Sequence, residues 1–261
     1  KLLIVFYILM TLTKPIIFLH TPRTGGSTFN SILEKIAFQN SLQYFRAGIA
    51  GYNEKFAFKY FEPNKTNNLY SAHFVFSEEC KQADLITLVR DPVKMFISNI
   101  YAHFGTYTKT NLNNHNKKII ETKIRLNLNQ TLSDVVQINK LFEYNFLVSN
   151  TLTKTFAGIP YDKFFYTAND YKLTQNDYNA AKKNLQYFKL IGDTDFFDLF
   201  VKKLILTYLF KLDNYQLLNS MKYNAKNIAE IIEKLHKECF YYNYFDILLM
   251  KEIKKNNNYI I

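Results

Sequence analysis

The stretch KPIIFLHTPRTGGSTFNSIL, residues 14–33, constrains the fold more than any other part of the sequence. Its apolar run PIIFLH is typical of a buried strand, and the apolar spacing that follows predicts a helix ending near Phe38. Two adjacent glycines, a cation and several hydroxyls lie between them, and we expect Ser27 or Thr28 to cap the helix. A strand that turns through glycine into a helix presents backbone N–H groups and the positive helix end to an anion. The stretch therefore predicts a phosphate loop, with an ordinary strand–helix turn as the alternative.

Strands and helices are predicted to alternate along the rest of the chain. Four more segments have the apolar runs of strands: 68–74, 84–89, 162–168 and 189–194. Three segments have helical patterns: 92–103, 131–158 and 173–188. Helical patterns also dominate from residue 195 onward, until a polar tail that we expect to fray. This alternation predicts an α/β fold, with a central, mainly parallel sheet flanked by helices.

The chain is predicted to form one domain over residues 15–261, with a helical C-terminal part. A chain of 261 residues can bury one large core, and no internal repeat or Pro/Ser/Gly linker divides it. Residues 1–14 are predicted to form an N-terminal extension: a signal-peptide remnant, a membrane-anchor remnant or an addition to a domain that begins near Met10. Its apolar run, 2–10, has about half of the roughly 20 residues that cross a bilayer. We favour a soluble protein and leave membrane association open.

The formal net charge of +11 predicts an anionic partner, because a basic surface concentrates anions around it. No block of consecutive Lys and Arg resembles a nucleic-acid-binding arm, so we expect no nucleic-acid partner. The polar segment 105–130 is predicted to be a long exposed loop. It carries five cations that suit a polyanionic glycan or an ordinary solvated face: Lys109, Lys117, Lys118, Lys123 and Arg125.

The loop departs from that of magnesium-dependent nucleotide triphosphatases, which reads Gly-x-x-x-x-Gly-Lys-Ser/Thr. No lysine precedes Ser27 and no second glycine lies upstream at the required spacing. A kinase or nucleotide hydrolase is therefore disfavoured, and it stays as the alternative enzyme.

The sequence FLHTPRTGGSTF resembles the 5′-phosphosulfate loop of sulfotransferases that use 3′-phosphoadenosine 5′-phosphosulfate (PAPS). It is closest to the carbohydrate branch, whose loop typically reads Phe-x-His-x-Pro-Lys-Thr-Gly-Gly-Thr-Ser/Thr. Arg23 replaces the family lysine and keeps its charge on a planar fork that suits phosphate or sulfate. The resemblance implies a P-loop-like sulfotransferase fold, PAPS as co-substrate, PAP as product and no metal. It also implies donor contacts from six loop residues: Arg23, Thr24, Gly25, Gly26, Ser27 and Thr28.

A second stretch, LITLVRDPVKMFISNIY at 85–101, resembles the 3′-phosphate element of the same family. Arg90 and Ser98 stand on the two positions that hold the 3′-phosphate in that element. The alternative is a buried ion pair between Arg90 and Asp91, with Ser98 as filler. Met95 replaces a further family arginine.

Two weaker resemblances follow in the family's order, so that together the matches cover roughly residues 15–200. The first is SNTLTKTFAG at 149–158, where Lys154 takes the position of a family arginine. The second is NLQYFKLIGDTDFFDLF at 184–200, with matches at Gly192, Thr194 and Phe197. We expect these segments to help close the donor pocket.

His73, in YSAHFVFSE, is the candidate catalytic base. It resembles the histidine of the family's Gly-His-x-x-Phe/Tyr element, and its ordinary pKa lies near neutral pH. Glu78 and Glu79 are the alternative bases. His20 is predicted to be a packed, hydrogen-bonded residue that shapes the loop. The other histidines are interpreted as surface or helix-end residues: His103, His115 and His236.

These motifs together imply transfer of a sulfuryl group from PAPS to a hydroxyl of a carbohydrate, with an anionic polysaccharide as one such acceptor. His73 would take the acceptor proton, while Arg23 and the loop amides would stabilise charge on the sulfuryl group and the leaving phosphate. A non-catalytic polyanion-binding protein on an old cofactor fold is the alternative from another class. The resemblance leaves location open between a soluble cytoplasmic or organellar protein and one tethered in the Golgi lumen.

Overall fold

The computed structural model describes eight parts of the chain: residues 12–46, 61–73, 75–96, 98, 149–160, 173–215, 240–241 and 243–260. Three predicted features lie wholly outside these residues: the apolar run 2–10, the basic segment 105–130 and the strand 162–168. His103, His115 and His236 lie outside them too.

The described residues contain one sheet of six parallel strands. Its strands are β1 (Ile16–Leu19), β2 (Gln43–Arg46), β3 (Asn68–Ala72), β4 (Asp84–Val89), β5 (Phe188–Asp193) and β6 (Tyr259–Ile260). They lie in the order β2-β3-β1-β4-β5-β6, so the first strand of the sequence is central in the sheet. Ile16 is paired with Leu69 of β3 and with Asp84 of β4.

The central strand, β1, is buried on both faces, and its side chains belong to two separate apolar cores. Ile16 and Phe18 belong to one core, whereas Ile17 and Leu19 belong to the other. This division follows from the two-residue period of a strand, whose successive side chains point to opposite faces. It also explains why the strand reads as an unbroken apolar run, as is typical of parallel sheets covered on both faces.

Helices cover the two faces of the sheet. Five of them have described bounds: α1 (Gly26–Gln39), α2 (Thr151–Ala157), α3 (Gln175–Asn184), α4 (Phe197–Tyr208) and α5 (Tyr244–Ile253). Helices α1 and α4 pack into the core that contains Phe18, and α2, α3 and α5 pack into the core that contains Leu19. Residues 92–96 are also helical. In the described part of the chain, no helix combines the length and apolar character needed to span a membrane.

The α/β architecture predicted from the sequence is confirmed, as are the strands near 15–20, 68–74, 84–89 and 189–194. Helices α2 and α3 lie inside predicted helical segments. Helix α2 ends at Gly158, whose φ of 77° suits a residue without a side chain.

Two local predictions are wrong, and one strand was missed. The residue that caps α1 is Gly25, with Ser27 and Thr28 inside the helix. The polar tail contains a strand, β6, which pairs with Ile191 and Gly192 of β5 instead of fraying. Strand β2 was not predicted, because its sequence QYFR lies at the sheet edge and has no buried apolar run.

Candidate functional site

The carboxyl ends of β1 and β4 lie side by side at the centre of the sheet, and the chain leaves them towards opposite faces. After β1 it enters α1, which packs into one core. After β4 it enters the helical residues 92–96, whose Met95 packs into the other core. In open α/β sheets, ligands bind outside the carboxyl ends of the strands at such a reversal of direction. Both predicted anion-binding motifs start at this point.

The loop between β1 and α1 contains two residues in the left-handed backbone region. Arg23 has a φ of 66° and Gly25 a φ of 76°. For an arginine this conformation costs about 1–3 kcal/mol, and such strained residues cluster at ligand sites. The Thr24 hydroxyl donates a 2.7 Å hydrogen bond to the Thr21 carbonyl, which closes the loop internally. The loop is therefore held in one specific shape.

The N-terminus of α1 faces the same loop. Its cap residue, Gly25, brings no side-chain acceptor to the first-turn amides, and the first turn contains no acidic residue. The aligned peptide dipoles of this 14-residue helix leave partial positive charge at this end. Ser27 is exposed and Thr28 is buried. The end of α1 therefore has the electrostatic character of an anion site.

Gly26 allows the loop to pack directly on an imidazole ring. A Cβ atom at this position would lie 1.7 Å from Nε2 of His20, closer than any side chain permits. His20 is 9 % exposed, and its backbone N–H donates a 3.0 Å hydrogen bond to the Ala72 carbonyl. The prediction that His20 is packed is confirmed, whereas its effect on the shape of the loop stays a prediction.

The structure brings Arg23, Arg90 and Ser98 together. Arg23 Nε donates a 3.2 Å hydrogen bond to Ser98 Oγ, and Arg90 Nη1 donates a 3.3 Å hydrogen bond to the Arg23 carbonyl. These contacts join a loop after β1, a strand-end arginine after β4 and a serine on the following helical segment. Two sequence-predicted anion motifs thus form one continuous cationic cluster.

Asp91 and Asp195 form contacts beside this cluster. Asp91 Oδ1 accepts 3.0 Å hydrogen bonds from the amides of Val93 and Lys94, and so caps the helical residues that carry Ser98. Lys94 forms a 2.6 Å ion pair with Asp195, just beyond the end of β5. If Gly25, the N-cap of α1, carried a Cβ atom, that atom would lie 3.8 Å from Cγ2 of Thr194. The segment after β5 therefore lies against the loop.

His73 follows β3 at the same edge of the sheet and is half-buried. Its Nδ1 lies 2.9 Å from the carbonyl of His20, and since a carbonyl only accepts, Nδ1 carries the proton and donates. In this tautomer the other nitrogen, Nε2, carries no proton, so it is the ring atom that can act as a proton acceptor. Burial lowers the pKa of His73, the hydrogen bond to His20 partly raises it, and the charge of Arg46 lowers it further. The ring is therefore neutral near pH 7 and suited to act as a base.

The alternative bases lie elsewhere in the fold. Glu78 and Glu79 are exposed in a 3₁₀ helix, Glu78–Gln82, that leads into the amino end of β4. Glu78 is paired with Lys81 at 2.6 Å. These carboxylates therefore approach the edge of the sheet opposite to His73.

Lys154 lies in a fully buried polar cluster with Asp246. Asp246 accepts hydrogen bonds from the amides of Leu152 at 3.0 Å and Thr153 at 2.7 Å. Burial lowers the pKa of Lys154 well below its usual value, and the charge of Asp246 opposes this shift. Lys154 Nζ donates a 3.3 Å hydrogen bond to Ser149 Oγ. The cluster joins α2 to α5.

Sequence analysis missed Arg46, an exposed residue at the carboxyl end of β2. It is in register with Ser71, two residues before His73, and its charge lowers the pKa of both His73 and His20. Because β2 itself was not predicted, no signal in the sequence placed this guanidinium near the candidate base.

The sequence matches no protein-family model and no curated protein. Within the described residues, no group of three or more His, Cys, Asp or Glu side chains could hold a metal ion.

Proposed function

We propose that this protein is a sulfotransferase that moves a sulfuryl group from PAPS to a hydroxyl of a carbohydrate, on a P-loop-like sulfotransferase fold. The observation that carries the proposal is the contact between the two anion motifs. Arg23 and Arg90 lie 67 positions apart in the sequence, yet they meet at the strand-order reversal between β1 and β4. A chance match to either motif gives no reason for the two motifs to contact each other.

The donor explains why two cationic motifs should touch. In PAPS the 5′-phosphosulfate and the 3′-phosphate are attached to the same ribose. The protein groups that bind them must therefore lie close to each other. Arg90 and Ser98 would hold the 3′-phosphate with charge-assisted hydrogen bonds. The loop from Arg23 to Thr28 and the end of α1 would hold the 5′-phosphosulfate. The donor would then replace the 3.2 Å contact between Arg23 and Ser98.

The chemical step follows from the same geometry. His73 Nε2 would accept the proton of the acceptor hydroxyl as its oxygen attacks sulfur in line with the leaving phosphate oxygen. The S–O bond to the acceptor forms, the S–O bond to the phosphate breaks, and PAP leaves with the negative charge. Arg23 and the first amides of α1 would stabilise that growing charge. The step needs no oxidant or metal.

Two rival functions fit the site less well. A magnesium-dependent kinase or hydrolase would need a lysine before Ser27 and an available carboxylate at a strand end. Asp91 Oδ1 caps the next helical segment, and Asp193 accepts hydrogen bonds from the Asp195 amide at 2.9 Å and the Tyr259 hydroxyl at 2.7 Å. A non-catalytic polyanion binder would not need a base, yet His73 has the tautomer and neutrality of one.

A carbohydrate with anionic groups is the acceptor that the charge of the protein favours. The net charge is +11, and the exposed Arg46 lies beyond His73 on the side away from Arg90. A sugar hydroxyl directed at His73 could therefore bring a neighbouring carboxylate or sulfate towards Arg46.

The direct test measures transfer of labelled sulfate from PAPS to a panel of polysaccharides, together with PAP binding by calorimetry. We expect Arg90→Ala to weaken PAP binding about 10- to 100-fold, the size of one or two lost charged hydrogen bonds. His73→Ala should leave PAP binding nearly unchanged and abolish most turnover. Lys183→Ala, an exposed lysine near the end of α3, is the matched control and should change neither.

The outcomes separate the three functions. Unchanged PAP binding in Arg90→Ala contradicts the donor site. Tight polyanion binding without any sulfate transfer favours the non-catalytic protein. Release of phosphate from ATP that requires magnesium favours the kinase or hydrolase.

A further inference from the structure

We propose that His20 is a positioning residue that holds the ring of His73 in its base geometry and couples it to the phosphate loop. The catalytic part of this inference rests on the proposed function, whereas the positioning part concerns His73 alone.

The first argument is that one residue holds His73 in two ways. The His20 carbonyl accepts the 2.9 Å hydrogen bond from His73 Nδ1, which fixes one end of the ring. The His20 side chain stacks on the His73 ring, with centroids 4.0 Å apart and planes 25° apart. The hydrogen bond alone leaves the ring free to tilt, since the outer torsion of a histidine is broad. The stack restrains that tilt, so Nε2 points in one direction.

The second argument is that the His20 ring is itself immobile. Its other stacking neighbour is Phe18, at 5.4 Å between centroids and 14° between planes. Gly26 packs against its Nε2 so closely that no Cβ would fit. His20 is 9 % exposed. A side chain wedged between β1 and α1 can transmit the position of the loop to the ring of the base.

The charges around the two rings are positive. Among the described residues, the charged groups that act on them are Arg46 on β2 and Arg23 in the loop, besides the rings themselves. No carboxylate is among the groups that shift either pKa in the described part of the chain. Burial and these cations lower the pKa of His20, so its ring is neutral and stacks on His73 without repulsion. The stacked pair therefore has the neutral state that a base needs.

Loss of the stack should affect donor binding and the chemical step differently. His20 contacts Gly26, which belongs to the loop proposed to hold the donor, and His73, which is proposed to hold the acceptor hydroxyl. Loss of the stack should leave the loop amides and arginines in place. Donor binding should then persist while the chemical step slows, because the base no longer points at the reacting hydroxyl.

The test compares His20→Leu, which has no planar group, with His20→Gln, whose planar amide can lie on the His73 ring. The carbonyl of residue 20 is present in every variant, so the His73 tautomer should stay Nδ1–H throughout, as nitrogen-15 NMR can check. The orientation of the His73 ring is the deciding signal, measured from nuclear Overhauser contacts of its carbon-bound protons: the wild type should show one orientation, and His20→Leu should show averaging over several. In turnover assays we expect His20→Leu to lose 10- to 100-fold in kcat with less than a threefold change in PAP affinity. His20→Gln should recover most of both signals.

Each outcome decides the proposal. A single ring orientation and wild-type kcat in His20→Leu overturn it, as does His20→Gln being as impaired as His20→Leu. If His20→Leu fails to fold, His20→Gln alone decides: a single retained orientation of the His73 ring supports the proposal and an averaged one overturns it. The NMR result does not involve PAPS. A wild-type protein that transfers no sulfate therefore refutes the proposed function while leaving the positioning role measured on its own.

Discussion

Helices α1 and α2 both have partial positive charge at their N-termini, but the charged residues around the two ends are of opposite sign. The end of α2 is covered by the carboxylate of Asp246, which accepts hydrogen bonds from two of its amides. The end of α1 has a glycine at its cap and no acidic residue in its first turn, and Arg23 and Arg90 lie beside it. A carboxylate neutralises the first end, whereas cations add to the field of the second. The first end is thus neutralised within the protein, whereas the second keeps its positive field.

The other described helices follow the first pattern. Helix α3 begins with a capping box formed by Thr174 and Asp177, and α4 has Asp198 in its first turn. Helix α5 has Asp246 in its first turn. Among these described helices α1 is the exception, which makes its N-terminus the place where the fold departs from ordinary helix stabilisation.

Removal of the carboxylate at the end of α2 should have the largest effect. Asp246→Ala leaves three hydrogen-bond donors without their acceptor and removes the negative charge that acts on the buried Lys154. We expect a loss of about 3–5 kcal/mol in the free energy of unfolding, measured by urea denaturation. Asp246→Asn, which keeps one oxygen acceptor, should lose less. A loss below about 1 kcal/mol in Asp246→Ala would show that the end of α2 does not depend on its carboxylate.

The next effect concerns the packing of the α1 end. Gly26→Ala forces a Cβ into the His20 ring, so we expect a loss of about 1–3 kcal/mol of stability together with weaker PAP binding. Gly25→Ala is the matched control, because the nearest atoms to its Cβ lie at 3.8 Å and its cost is backbone strain of roughly 1–2 kcal/mol. Thermal unfolding measures the stability of the two variants, and calorimetry measures their PAP binding. Equal stability of Gly26→Ala and wild type would contradict the close contact with His20.

The two ends should also respond to pH with opposite signs. The pKa of His20 is lowered in the folded protein, so its stability contribution is present above pH 6.5 and is lost as the pH falls. The pKa of Asp246 is raised to about 6, chiefly by burial, so its contribution is present at low pH and is lost as the pH rises through 6. Each group changes the slope by at most about 1.4 kcal/mol per pH unit.

Urea denaturation between pH 7 and pH 5 measures these slopes. His20→Gln should reduce the acid-induced loss of stability, whereas Asp246→Asn should increase it. The same change of slope in both variants would refute the opposite signs.

The smallest stability effect comes from converting the end of α1 into the pattern of the other helices. Ser27→Glu places a carboxylate in the first turn and should stabilise the fold by about 0.3–1 kcal/mol. The same charge should weaken PAP binding more than tenfold, because it repels the donor. Gln175→Glu in the first turn of α3 is the control and should stabilise without affecting PAP. Tighter PAP binding in Ser27→Glu would exclude an anion site at α1.

The parts of the fold that the sequence predicts are those with strong local patterns. Strand β4 is predicted at its observed bounds because DLITLV is apolar and ends at a charged turn. The edge strands β2 and β6 have mixed exposure and few residues, so no periodicity marks them. Their positions depend on neighbouring strands, which local sequence does not contain.

The residues of the candidate site also divide into those with a local sequence signal and those without one. Local motifs predicted Arg23, Arg90 and Ser98 as anion-binding residues, which stays a prediction, and gave no sign that Arg23 and Ser98 bond to each other. The stacking of His20 on His73 depends on the pairing of β1 with β3, and so it had no local signal. Arg46 was missed for the same reason.

The central position of β1 also sets the order in which the protein can assemble on the ribosome. The strand is translated first among the six, but its partners start only at Asn68 and Asp84. At roughly 5–20 residues per second, the apolar segment IIFL waits on the order of several seconds for its second neighbour. Such long-range pairing slows folding and exposes the strand to other nascent chains. The residues that lead into the phosphate loop are thus those that a chaperone would have most reason to shield.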